Sequence, residues 1–125
     1  MISRKPSEII KDFLDLMDSS HDQYLNSKKT VESYDEQTIS WVHKIENEDL
    51  AEERSKISTA WHKERLARRA EKNNMLLYEK IHEFSINEMN KSTLKRLRSV
   101  LGNQIKTEEY LSQENKVLKS KRRIE

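Results

Sequence analysis

Residues 10–45, IKDFLDLMDSSHDQYLNSKKTVESYDEQTISWVHKI, decide the fold. Stepping alternately by three and four from Ile10 gives Phe13, Met17, Ser20, Tyr24, Ser27, Val31, Tyr34, Thr38, Trp41 and Ile45. This is a heptad seam of the kind that packs one helix along another, and it reads without a phase slip. Pro6 stands where a helix start tolerates proline, and no proline or glycine follows until Gly102. The pattern predicts one helix over residues 7–47, about 60 Å long at about 1.5 Å per residue. Ser20 and Ser27 are its weak seam positions, and residues 18–21 are where it would bend or break.

Working outward, Asp49-Leu50-Ala51-Glu52 has capping-box spacing and predicts a second helix over residues 50–84. Its ends are apolar, through Ile57, Ala60 and Trp61 on one side and Met75, Leu76, Leu77, Tyr78, Ile81 and Phe84 on the other. Residues 62–74 are nearly all charged, relieved by Leu66, Ala67 and Ala70, small enough to allow close packing or a partner. Asn87, Asn90, Ser92 and Thr93 favour turns and caps, so the second connection falls within residues 85–92. A third helix over 92–118 carries Leu94, Leu97, Leu101, Ile105, Leu111 and Leu118, and residues 119–125 are a basic tail expected to fray. The expected fold is all-α: an elongated antiparallel three-helix bundle or coiled coil, forming a single helical domain over residues 1–118.

Composition agrees. One glycine and one proline in 125 residues cannot supply the turns of a sandwich, barrel or doubly wound sheet. An apolar fraction of 34% suits a narrow core rather than a thick one. With no cysteine there is no disulfide, thiolate metal site or cysteine nucleophile. Residues 1–14 interrupt their apolar side chains with Lys11 and Asp12, so neither a signal peptide nor a membrane span is expected, and the cytoplasm is the expected compartment.

The formal net charge of +2 conceals a division: residues 1–62 hold 8 Lys plus Arg against 13 Asp plus Glu, and residues 63–125 hold 16 against 9. Three basic clusters account for the second half. Lys63, Arg65, Arg68, Arg69 and Lys72 lie on the second helix, with Glu64 and Glu71 on another part of its surface. Lys91, Lys95, Arg98 and Lys106 share a face of the third helix, with Gly102 among them. Lys116, Lys119, Lys121, Arg122 and Arg123 close the chain. Arg65, Arg68, Arg69, Lys72, Lys91, Lys95, Arg98 and Lys106 are the candidate contacts to phosphate or to an acidic partner. The competing reading is that the third-helix face lies against the acidic first helix and is neutralised within the molecule or a dimer. A mid-helix glycine costs about 1 kcal/mol against alanine, and close approach of a backbone or a phosphate would be one reason to keep it.

Catalytic constellations are disfavoured. Asp18-x-x-His21 and Glu79-x-x-His82 have the acid-x-x-His spacing of paired-metal helix bundles. Both fail on phase, because Met17 and Ser20, and Tyr78 and Ile81, are the expected inward residues. One glycine allows neither a nucleophile elbow nor a phosphate-cradling loop. The expectation is a non-enzyme with no metal and no cofactor. Trp41 and Trp61 are expected inside, and Tyr110 is an exposed candidate contact.

Residues 35–45 (DEQTISWVHKI), 52–69 (EERSKISTAWHKERLARR) and 90–102 (NKSTLKRLRSVLG) together resemble the small all-helical proteins encoded by bacteriophages and prophages of low-GC Gram-positive bacteria. That resemblance implies action by binding, including inhibition of host defence nucleases, CRISPR effectors among them; it transfers no functional residue. Inhibitors that mimic nucleic acid are strongly acidic, which this chain is not. Three readings stand. The first is a non-catalytic interaction protein that binds and regulates or inhibits a host nucleic-acid-handling protein or nucleoprotein complex. The second is direct, backbone-directed binding of DNA or RNA; the third is a structural homodimer or larger homo-oligomeric coiled coil. No membrane partner is expected.

Overall fold

The computed structural model describes residues 4–124, with side chains through residue 119. It consists of three helices, α1 (Pro6–Asn47), α2 (Ala51–Ile86) and α3 (Glu88–Ile124), with no strand among the described residues. The expected all-α, three-helix antiparallel architecture is present. Pro6 opens α1, and the Lys5 carbonyl accepts from Glu8 N–H at 3.0 Å and Ile9 N–H at 3.4 Å. Glu8 in the first turn and Lys44 in the last complement the helix dipole. The helix runs unbroken through residues 18–21.

The first connection, residues 48–50, is one residue longer than the sequence suggested, and the second is much shorter. Leu50, not Asp49, occupies the cap of α2: its carbonyl accepts from Arg54 N–H at 2.9 Å, and its own N–H donates to Glu48 Oε1 at 3.1 Å. Between α2 and α3 only Asn87 is non-helical. Its side-chain oxygen accepts from Met89 N–H at 3.0 Å and Asn90 N–H at 3.4 Å, and its carbonyl accepts from Lys91 N–H at 2.8 Å. One asparagine therefore ends one helix and caps the next. The helix assignment also continues past 118, although the side chains of Lys121, Arg122 and Arg123 lie outside the described residues.

The chain divides into two compact units, one formed by residues 1–18 with 85–125 and the other by residues 19–84. In the second, α1 packs antiparallel to α2: Trp41 meets Glu64, Asp35 meets Arg68, Ser27 meets Asn74 and His21 meets His82. In the first, the start of α1 packs antiparallel to α3, through Asp18 with Arg98 and Ser7 with Glu108.

Burial follows the α1 seam with one correction. Leu14 is 4% exposed, whereas Phe13, expected in its place, is 40% exposed. The inward positions facing α3 are thus Ser7, Ile10, Leu14 and Met17, and those facing α2 are Ser20, Tyr24, Ser27, Val31, Tyr34, Thr38, Trp41 and Ile45. Two successive steps of three, Leu14 to Met17 to Ser20, shift the phase where α1 passes from one unit to the other. Ser20 and Ser27 do not weaken the seam. Both are buried, and Ser27 Oγ accepts from Asn74 Nδ2 at 2.7 Å.

On α2 the inward line is Ile57, Trp61, Glu64, Arg68, Glu71, Met75, Tyr78 and His82, again in steps of three and four. Charge, not alanine, fills its middle. Leu66, Ala67 and Ala70 face solvent, with Leu66 57% exposed. Both tryptophans sit on the seam but remain half-buried, each with a cation over its ring: Lys44 lies 4.7 Å from the Trp41 centroid and Arg65 5.5 Å from that of Trp61.

Candidate binding faces and a paired histidine

The eight basic candidates separate into those answered within the chain and those turned outward. Arg68, on the α2 seam, donates from Nε to Asp35 Oδ1 at 2.7 Å and from Nη2 to Oδ2 at 3.5 Å. That hydrogen bond holds the Asp35 carboxyl below its ordinary value, against some desolvation, with the charges of Arg68 and Lys72 adding to it. Arg98 reaches Asp18 on α1 at 2.9 Å, and Lys91 reaches Glu88 one turn back at 3.5 Å. Neutralisation by the acidic helix therefore accounts for Arg68 and Arg98.

Arg65, Arg69, Lys95 and Lys106 are exposed and form no ion pair among the described residues, and Lys72 is half-buried beside Asp35. Arg65 is braced on Trp61, so its guanidinium stands over a shallow cleft of about 290 Å³ lined by Tyr34, Asp35, Thr38, Trp61, Glu64, Arg65 and Arg68. Trp41 Nε1 donates to the Glu64 carboxylate beside this cleft. The site is an arginine and a carboxylate pair presented by two helices, suited to charge pairing with an extended partner. Gly102 lies in the open: a methyl group there would meet nothing within 4 Å, so no close approach within the chain requires it.

The phase argument holds for Asp18 and His21, exposed beside buried Met17 and Ser20, and fails for His82. His82 is 7% exposed and on the seam, one heptad beyond Met75, while Ile81 is only half-buried. Its Nδ1 lies 3.3 Å from Nδ1 of His21, the two rings stack at 5.0 Å, and Tyr24 stacks on His82 at 4.4 Å. The signal was present in the spacing, since Met75, Tyr78 and His82 continue the steps of three and four from Ile57. Burial pushes the His82 pKa below its ordinary value, with the His21 and Lys28 charges acting the same way and Glu83 opposing. A shared Nδ1 contact also needs one ring to donate and the other to accept, which two protonated rings cannot do.

At the start of α1, Glu108 of α3 accepts from Ser7 N–H at 3.1 Å, Ser7 Oγ at 2.7 Å and Gln104 Nε2 at 3.0 Å. These bonds, that of the Ser7 hydroxyl first, depress its pKa. A carboxylate here satisfies a first-turn amide and complements the α1 dipole.

Among the described residues no three His, Cys, Asp or Glu side chains converge as metal ligands, and no helix is long and apolar enough to cross a membrane. The geometry defines a helical protein with charged exposed faces and one stacked histidine pair. No protein-family model, curated protein or solved structure matches the chain.

Proposed function

We propose that the protein is a non-catalytic helical interaction protein of the bacterial cytoplasm, which binds a nucleic-acid-handling protein or its nucleoprotein complex through the exposed basic face of α2. The observation that supports this reading is the Arg65, Arg69 and Lys72 group. Two of these cations form no ion pair among the described residues, and Arg65 is held on the Trp61 ring rather than free to fold back on an acid. A preorganised guanidinium pairs with carboxylate or phosphate at less entropic cost than a free one. Regulation or inhibition of the partner rests on the resemblance to phage proteins.

Capture from a bacterial lysate, read by mass spectrometry, tests the face. Arg65→Ala with Arg69→Ala should retain helicity by circular dichroism and lose the partner that the parent chain retains. Equal capture by both chains removes α2 from the proposal. Direct binding of nucleic acid is the second reading, favoured by the same cations. It predicts retardation of a bare duplex that weakens steeply between about 50 and 200 mM salt, and no retardation at the low end eliminates it.

A further inference from the structure

The unit formed by α3 and the start of α1 has two unlike flanks. Asp18 and Arg98 each follow a seam residue, Met17 and Leu97, and their ion pair marks one side. Lys11, Asp15, Lys95 and Glu109 belong to that side as well. In an antiparallel pair the residues preceding the seam on both helices share the opposite side. There stand Ile9, Phe13 and Leu16 of α1, each 40% exposed, and Val100 of α3, 48% exposed. Leu111 and Leu118, 50% and 48% exposed, extend the same flank about three and five helical turns beyond Val100. Asn103 and Thr107 lie between Val100 and Leu111, Glu114 lies between Leu111 and Leu118, and Arg96 precedes Val100 by one turn.

We propose that this apolar flank of Ile9, Phe13, Leu16, Val100, Leu111 and Leu118 is the contact surface between two copies of the chain. Area argues for a constant partner. A folded 15.0 kDa monomer exposes about 7,000 Å² by the usual mass scaling, whereas this chain exposes 10173 Å², about 3,000 Å² more. A standard interface covers about 800 Å² per partner, well within that excess. Within the unit only Leu14, Met17 and Leu94 are buried apolar side chains among the described residues, since two helices form a layer with nothing on its far face.

Charge argues that the partner is a second copy. A two-fold contact sets a patch against itself, so a charged patch repels its own image and an uncharged one does not. The Asp18 and Arg98 flank would place like charges near one another; the Ile9 and Val100 flank carries Arg96 before Val100 and Glu114 between Leu111 and Leu118, opposite charges on one side of α3 that an antiparallel two-fold contact sets against each other. Formation of this dimer is independent of partner capture by α2, so either can fail alone.

Light scattering on the intact chain at about 100 μM should give twice the 15.0 kDa chain mass. Hydroxyl-radical footprinting of that species should label Phe13, Leu16 and Val100 several-fold more slowly than Ile39, which is 67% exposed in the other unit. Leu16→Glu and Val100→Glu should halve the mass, and Ile39→Glu should not. A mass of one chain at that concentration overturns the proposal, whether the monomer is free, bound to phosphatidylglycerol vesicles or bound to another protein. A dimer that labels Phe13, Leu16 and Val100 as fast as Ile39 also overturns it. The footprint and the parent mass stand even where a glutamate variant fails to fold.

Discussion

The two units use α1 in contrasting ways. Where α1 meets α3, the buried apolar residues are Leu14, Met17 and Leu94, and the polar contacts are Ser7 with Glu108 and the solvated pair of Asp18 with Arg98. Where α1 meets α2, Val31 is the buried apolar residue, and Ser20, Ser27 and His82 take the other buried places. Apolar contact is non-directional and scales with area, so the first pairing gains stability without fixing register strongly. Hydrogen bonds from Asn74 to Ser27, Trp41 to Glu64 and Arg68 to Asp35 work only in one register, so the second gains alignment at a smaller stabilisation for each contact.

Substitutions can break that contrast. The largest effect should come from Leu94→Ala, which removes a side chain only 5% exposed and should cost about 2–5 kcal/mol, read by urea unfolding followed by circular dichroism. An effect below about 1 kcal/mol would mean that the aliphatic pairing is not the stronger one. Next, Asn74→Ala should cost about 1–3 kcal/mol by stripping buried Ser27 of its donor. The histidine pair gives a pH signature. A base with a lowered folded pKa is tolerated fully above its unfolded value near 6.5 and destabilises the fold as pH falls from there through the folded value. The melting temperature should therefore drop between about pH 7.5 and 5.5, and His82→Phe, which keeps the ring against Tyr24, should flatten that slope. Gly102→Ala should add about 0.4–1 kcal/mol, because space is open and the backbone has no positive φ. Smallest of all, Arg68→Met should change stability by about 0–1 kcal/mol, since its ion pair with Asp35 is largely solvated.

Much of this architecture was legible in the sequence, and the misses share a cause. The α1 seam from Met17 to Ile45 and the turn near Asn87 followed from spacing and cap chemistry. A single heptad phase puts Phe13 inward in place of Leu14, but α1 changes partner at residue 18, where the phase slips. On α2, apolarity alone favours Ile81 inward and His82 outward. The spacing from Ile57 through Arg68 to His82 was the better guide, because a seam between two helices only half-covers its residues and tolerates charge there. The basic clusters were visible as composition. Their division was not, since whether an arginine meets Asp18 or Asp35 depends on inter-helix register that no local pattern contains.

The bond from Glu108 to Ser7 spans 101 positions of chain. On the ribosome, the residues that meet in the second unit, 19–84, form one uninterrupted run and are all available before α3 has been made. The first turn of α1, by contrast, waits for a carboxylate translated 101 positions later. Synthesis thus leaves the start of α1 to be closed only after residues 19–84 have all been made. Until α3 is made, Leu14 and Met17 lack the helix they pack against, and a ribosome stalled before residue 88 presents them uncovered to chaperones and proteases.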